Sequence, residues 1–375
     1  TRKEIGLGLN IAQGTLRRLI AHHNLGVAVS DEQVRQEVQQ LLAQQPERGS
    51  VMLDGHLRSS HPDWRIPRAQ LRRVYATCRS PEEMEARKRK VRFTSRYVNP
   101  DANSVWHVDT HCKLAFAGLY VHGAVDGHSK MTVYACAAPN NSSAWALGGF
   151  EVGCRNFGAP AALRTDHGSE NVLLTEAITD LSGVHMQGPS TSNVPIERRW
   201  GDMHAAAVLR GELHDMAAAK LIVLRPELPW YQRCSVWLVY GHFLQRQLNL
   251  DMDMWSFHSC STLSRNRTPY AAWVDSMYRQ THDPKYLSAA YPDDSEQYNG
   301  AAFDVDNLQD IFAVTDRTNR ALVGAALRDS ERIKSVRSTL QYARGQSVST
   351  VTFPQLREVF RLVWQLLQAA AGAGK

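Results

Sequence analysis

Two periods of apolar position run along this chain, and the change from one to the other divides it. Up to about residue 80 the spacing is helical. Ser30-Asp31-Glu32-Gln33 has capping-box form, and Val34, Val38, Leu41 and Leu42 follow at i, i+4, i+7 and i+8. A second helix is predicted around Val51–Ser59. A third starts near Pro67, with Leu71, Val74 and Tyr75 on its inner face and Arg68, Arg72, Arg73 and Arg79 on the other. Upstream, Ile5 to Leu25 reads as the second half of a helix-turn-helix. Gly8-Leu9-Asn10 is its turn, and the next helix carries Leu16, Leu19 and Ile20 on one face and Arg17 and Arg18 on another.

From about residue 103 the pattern becomes that of strands. Val105-Trp106-His107-Val108-Asp109 reads as the first, Leu119 to Val125 as the second and Met131 to Ala137 as the third, with Asp126-Gly127 as a hairpin turn. A helix over 142–157, a strand over 161–165, a helix over 170–181, a short strand over 184–187 and one long helix over 194–213 complete the order β-β-β-α-β-α-β-α. Residues 214–260 read as mostly helical, with Trp230, Trp237 and Trp255 as core candidates. Thr268-Pro269 opens a further helix that includes Trp273, and 283–300 is loop-like. The last helix, from Thr352, places Leu356, Val359, Phe360, Val363 and Leu367 on one face, which is expected to dock on the body of the protein. These patterns predict five parts. They are a partial helix-turn-helix (1–26), a second helix-turn-helix or winged helix (27–82), a basic linker (83–102), a catalytic core with helical extension (103–282) and a mostly helical region (283–375).

Composition narrows the class. Of 375 residues, 43% are hydrophobic and 21% charged, which suits a globular core and excludes a disordered chain or a coiled coil. No apolar run reaches the ~20 residues of a membrane span, because the uncharged stretch 131–150 is interrupted at Pro139-Asn140-Asn141. Thr1 in place of a start methionine reads as an excised or processed piece. Six cysteines without a CxxC pair point to free thiols in a reducing compartment.

Charge changes the picture more. The net charge of +6 hides an asymmetry, since residues 1–100 hold 18 Lys/Arg against 10 Asp/Glu, whereas the remainder is slightly acidic. A polyanion partner for the first hundred residues is implied, with a solubilising face as the plainer alternative. Arg87-Lys88-Arg89-Lys90 with Arg92 and Arg96 could track phosphates, act as a nuclear address or simply be solvated.

Candidate chemistry lies in three carboxylates. Asp109 ends the first strand, Asp166 ends the fourth, and Glu197 sits on the first turn of the helix that follows the last. In open α/β sheets functional groups gather beyond the carboxyl ends of strands. Three converging carboxylates need cations, and all-oxygen ligands select Mg²⁺ or Mn²⁺. Singly, each acid has a plainer role: a strand end, a turn former, a first-turn residue on a helix dipole. His107, His111 and Cys112 near Asp109 raise zinc, but no fourth ligand is evident.

Several motifs taken together resemble one family. Trp106-His107-Val108-Asp109, the hairpin Val125-Asp126-Gly127-His128-Ser129-Lys130, Arg164-Thr165-Asp166-His167-Gly168, Ile196-Glu197-Arg198-Arg199-Trp200 and Arg267-Thr268-Pro269-Tyr270 are similar to the integrase core of retroviral, retrotransposon and related transposon integrases. More narrowly, they resemble integrase-core proteins encoded in fungal and animal genomes. The resemblance covers 103–274. It implies an α/β fold with a ribonuclease H-like catalytic core: a mixed five-stranded sheet with flanking helices, N-terminal all-α helix-turn-helix segments and a helical C-terminal region. It implies a catalytic and metal-binding triad of Asp109, Asp166 and Glu197 holding two Mg²⁺ or Mn²⁺, and double-stranded DNA as partner. It also implies an assembly of at least two copies, nuclear location and no membrane. Arg17, Arg18, Arg68, Arg72, Arg73, Lys88, Arg89, Lys90, Arg198 and Arg199 are the expected DNA contacts. A domesticated binding protein without strand transfer, or a simple metal nuclease, would share the motifs. The chain departs from retroviral integrases in the short 31-position gap between Asp166 and Glu197, in His167 where an asparagine is common, and in lacking their His-His-Cys-Cys zinc domain.

Overall fold

The structure, a computed structural model, describes residues 26–46, 48–88, 99–189, 193–223, 229–263, 267–282, 334, 338, 340 and 353–372. The expected partial helix-turn-helix of 1–26, with Arg17 and Arg18, lies outside these residues, apart from Gly26. So do Arg89 and Lys90 in the basic linker, and most of 283–352. By its packing the chain forms two units, one from residues up to Tyr97 with Asp253–Arg279, the other from Val98–Met252 with Gln280–Lys375. The helical extension expected within 103–282 is therefore shared between them.

In the first unit a short strand β1 (Val27–Ala28) leads to α1 (Asp31–Gln44) and α2 (Ser50–Ser60). Strand β2 (Trp64–Arg65) pairs parallel with β1, and α3 (Arg68–Thr77) and α4 (Pro81–Lys88) follow. The capping box forms as the sequence predicts, with the Gln33 amide donating to Ser30 Oγ and the Gln33 side chain accepting from the Ser30 amide. Val34, Val38, Leu41, Leu53, Leu57, Leu71, Val74 and Tyr75 are the buried positions of the three larger helices.

The second unit is built on a five-stranded sheet. Strand β3 (Trp106–His111) pairs antiparallel with β4 (Tyr120–Asp126), which pairs antiparallel with β5 (Thr132–Ala138). On its other side β3 runs parallel to β6 (Ala162–Thr165), and β6 runs parallel to β7 (Val184–Gln187). The order is β5-β4-β3-β6-β7. Helices α5 (Ser143–Phe157) and α6 (Val172–Asp180) cross over between β5 and β7. After β7 come α7 (Val194–Asp202), α8 (Ala205–Ala218) and α9 (Trp230–Val236). A π-helical segment (Trp237–Gly241) joins α9 to α10 (His242–Phe257), and α12 (Phe353–Gly372) follows; α10 from Asp253 and α11 (Pro269–His282) up to Arg279 count with the first unit.

Alternation along β3 assigns its two faces. Trp106 and Val108 join Tyr134, Phe150, Leu163, Leu174 and Ile178 in one core, under α5 and α6. Gly149 and Gly153 let α5 approach closely, since a Cβ at either would lie within 3.0 Å of the Tyr134 ring. His107, Asp109 and His111 face the other way, where a larger core gathers Val121, Ala135, Ile196, Leu209, Trp237 and Phe360. The apolar stripe of α12 is part of that core, with Leu356, Phe360, Val363 and Leu367 buried. Arg357 on the same helix makes a two-bond ion pair with buried Glu212 of α8. That face docks on its own chain, as its apolar pattern predicts.

One helix expected over 194–213 is two. It stops at Asp202, with Met203 extended at φ −88 and ψ 96, and restarts at Ala205. Gly201 and Asp202 are weak helix formers. The break lets Trp200, Met203 and Leu209 all enter one core, which a straight helix could not do.

Candidate active site

The parallel pairing of β3 with β6 sets Trp106 opposite Leu163 and His107 opposite Arg164. Asp109 is the fourth of the six residues of β3 rather than its end, where the pattern predicts it to be, and Asp166 directly follows the last residue of β6. Both acids therefore lie beyond the paired residues, towards the carboxyl ends of neighbouring strands. Asp166 is held by its own loop. Its Oδ1 accepts from the Gly168 amide and from Asn171 Nδ2, each at 3.1 Å, and its carbonyl accepts from Gln187 Nε2 at 3.3 Å.

Helix α7 lies across β3 and carries the third acid. Asn193, Glu197 and Trp200 stand at i, i+4 and i+7, hence on one stripe. Asn193 precedes the helix as an N-cap residue would, yet it makes no capping bond. Its Oδ1 accepts from His107 Nδ1 at 2.8 Å, and its Nδ2 donates to the Val108 carbonyl at 2.7 Å. That bond puts the proton of the neutral imidazole on Nδ1, and burial holds the His107 pKa down to about 4. Seven residues along, Trp200 Nε1 donates to Asp109 Oδ2 at 2.7 Å. Glu197, between these anchors, is exposed.

Electrostatics report the convergence. Burial raises the Asp109 carboxyl to about 6. The Trp200 bond opposes this, the charge of Glu197 adds to it, the Thr110 amide opposes it, and the charge of Asp166 adds again. The Cys112 thiol is likewise raised, by burial and then by Glu170, Asp109 and Asp166. The three expected acids therefore share one negative basin, with Glu170 at its rim. Among the described residues no three His, Cys, Asp or Glu side chains are grouped tightly enough to hold a metal ion as they stand. The donors fit a hard divalent cation in kind, being oxygens with excess negative charge.

Three expected DNA contacts are otherwise engaged. Arg199 is only 1% exposed. It pairs with Asp251, which has no exposed side-chain surface, and its Nε donates to Thr132 Oγ1 at 2.7 Å. Its assignment as a phosphate contact is corrected, because a guanidinium facing the core cannot reach DNA. Arg73 makes a forked bond to Asp31, and Arg68 donates to Ser259 Oγ. Arg72 is exposed and has no side-chain partner among the described residues. Asn171, Asn193 and Trp200 escape a reading of the sequence for acids and bases, although all three lie within the quoted motifs or next to them.

A mixed five-stranded sheet of this order, with helices on both faces, defines a ribonuclease H-like core. Residues 96–285 match the family model described as integrase core domain, and the chain belongs to that family. Among solved structures it is similar to the HTLV-2 integrase catalytic core domain in complex with magnesium, in a trimeric form. The two are 18% identical, with 46% of this chain and 97% of that one covered and a TM-score of 0.32. It is also similar to the simian T-cell lymphotropic virus intasome in complex with the PP2A regulatory subunit B56 gamma. There the identity is 15%, the coverage 66% of this chain and 74% of that one, and the TM-score 0.37. No curated protein matches the chain.

Proposed function

We propose that this protein is a metal-dependent polynucleotidyl transferase that cleaves the ends of a DNA element and joins them to target DNA. The observation that carries the reading is that β3, bearing Asp109, runs beside the parallel strand β6 that leads into Asp166, and that after burial the charges of Glu197 and Asp166 both raise the Asp109 carboxyl. Asp109, Asp166 and Glu197 are the side chains that would hold Mg²⁺ or Mn²⁺, Glu197 swinging in from its exposed position. A bound pair of such ions supplies an activated water or 3′-hydroxyl and stabilises the leaving oxyanion. The chain's own part is to aim the carboxylates. Asn171 and the Gly168 amide hold Asp166, Asn193 sets α7 on β3, and Trp200 holds Asp109.

In this reading double-stranded DNA is gripped by the basic first hundred residues, including Arg17, Arg18, Lys88, Arg89 and Lys90. Arg198, beside Glu197, faces phosphates near the acids. Joining two target strands requires at least two copies, acting in the nucleus. Of the arginines on α3, Arg72 is the one available. Arg72→Ala is expected to weaken binding alike on all sequences and to reduce the slope of log K against log salt by about 0.9. Arg73→Ala is expected to change that slope less. An unchanged slope in Arg72→Ala would move the grip elsewhere.

The test is cleavage and joining of labelled end DNA with Mn²⁺, in Asp166→Asn and Glu197→Gln beside the parent protein. Each substitution is expected to lower both products about a thousandfold or more. Products that persist in both would overturn the metal mechanism. Nicks without joined strands would reassign the protein as a nuclease. Binding without either product would make it a domesticated integrase.

A further inference from the structure

We propose that Trp200 is a positioning residue for the acid site: its indole N–H, rather than its apolar bulk, fixes the Asp109 carboxylate in the orientation that receives a divalent cation. The inference rests on the reading of Asp109 as a cation ligand and deepens it.

An indole offers one donor and no acceptor, and on a buried ring that donor must find a partner. In Trp200, 7% exposed, it is aimed at Asp109 Oδ2 at 2.7 Å, the length of a charge-assisted bond. The surroundings of the ring are shaped for that aim. Gly123 lies directly across from Asp109 in the β3–β4 pairing. A Cβ there would fall 2.6 Å from Trp200 Cη2 and 3.2 Å from the Tyr134 carbonyl oxygen. The indole thus occupies the notch left by the missing side chain of the residue paired with Asp109. His111, two residues on along the same face of β3, bounds it with ring centroids 5.3 Å apart. Three positions therefore fix one N–H: a strand glycine, a strand histidine and a helix stripe shared with Glu197. The same helix that delivers one acid orients another. A carboxylate has about four lone-pair sites, so one bond to Oδ2 limits rotation and leaves capacity for an ion. Ordinary core packing would need the ring and some acceptor for its N–H, but would be indifferent to how the Asp109 carboxylate meets a cation.

The experiment separates ring from N–H. Binding of Mn²⁺ to the full chain is measured from the electron paramagnetic resonance signal of the free ion, with thermal unfolding in metal-free buffer recorded beside it. Trp200→Phe removes the donor and part of the ring. Replacement of Trp200 by β-(3-benzothienyl)alanine keeps a ring of nearly the same shape and exchanges N–H for sulfur, so it serves where the phenylalanine variant fails to fold. The expected result is about a tenfold loss of Mn²⁺ affinity in both, as for other groups that orient a metal ligand. The metal-free benzothienyl protein should still unfold cooperatively, with a melting temperature lowered only by the loss of one hydrogen bond. Gly123→Ala, which displaces the ring without touching its N–H, is expected to lose affinity as well. Parental affinity in the benzothienyl protein would overturn the proposal. Asp109→Asn and Glu197→Gln in the same assay keep the two readings distinct. If they lose affinity and the benzothienyl protein does not, only the role of Trp200 falls. If neither they nor the parent protein respond to Mn²⁺, the cation reading falls and this proposal falls with it.

Discussion

Asp109→Asn is expected to inactivate the protein and at the same time to stabilise it at neutral pH. The inactivation follows from the proposed cation site. The stabilisation follows from the burial of the carboxyl and, after it, from the neighbouring charges. An aspartate in the unfolded chain releases its proton near 3.8, whereas Asp109 in the folded protein holds its proton until about pH 6. Between those values the folded state binds the extra proton, so stability falls as pH rises from about 4 to about 6 and is level above. The penalty is therefore absent below pH 4 and complete above pH 6. Asparagine has no such titration, and its side-chain oxygen still accepts from Trp200. The variant is expected to exceed the parent by on the order of 2 kcal/mol at pH 8 without divalent ions, and to converge with it towards pH 4. Urea unfolding at pH 4.5, 6 and 8 would show this. Added Mn²⁺ should raise the melting temperature of the parent and not of the variant, since only a ligand for the folded state shifts that equilibrium. A variant less stable than the parent at pH 8 would mean that burial and the nearby charges do not hold the Asp109 carboxyl up.

That carboxyl lies where sequence and structure agree best. The strands were legible because β4 and β5 are nearly continuous apolar runs ended by Asp126-Gly127, and a strand buried on both faces reads that way. The acids were legible because each stands in a short motif where polarity interrupts an apolar pattern. The side chains that hold them were not. Asn193 is neither acid nor base, and only the crossing of α7 over β3 shows that its amide serves His107 and Val108. The break at Met203 was hidden because Ala205, Ala206, Leu209 and Leu213 continue a helical stripe past it. Arg198 and Arg199 looked equivalent in sequence. Adjacent residues on a helix differ by about 100° in direction, so one faces outward while the other enters the core. Which is which depends on Asp251, 52 positions away. Arg73 and Asp31, 42 apart, hide each other in the same manner.

The Arg199–Asp251 pair carries the other large expected effect. Two opposite charges withdrawn from water hold each other at a desolvation penalty, so the pair adds little net stability, but each partner depends on the other. Asp251→Asn would take the paired carboxylate charge away from a guanidinium buried at 1% exposure. A loss of about 3–5 kcal/mol is expected. Replacing both partners, as Arg199→Met with Asp251→Leu, removes the charges and keeps the volume apolar, and is expected to recover most of that loss. Urea unfolding of the two single variants and the double variant gives the coupling directly. A single variant losing less than about 1 kcal/mol, or a double variant as unstable as Asp251→Asn, would show that the pair is not the closed unit its burial describes. The consequence for the site is geometric. Arg199 lies two residues beyond Glu197 and ties α7 to α10 and β5, while Asn193 and Trp200 tie it to β3. With the arginine freed, the helix keeps its grip on β3 alone. In the double variant, where the anchor becomes apolar contact, Glu197 is expected to keep its place beside Asp109.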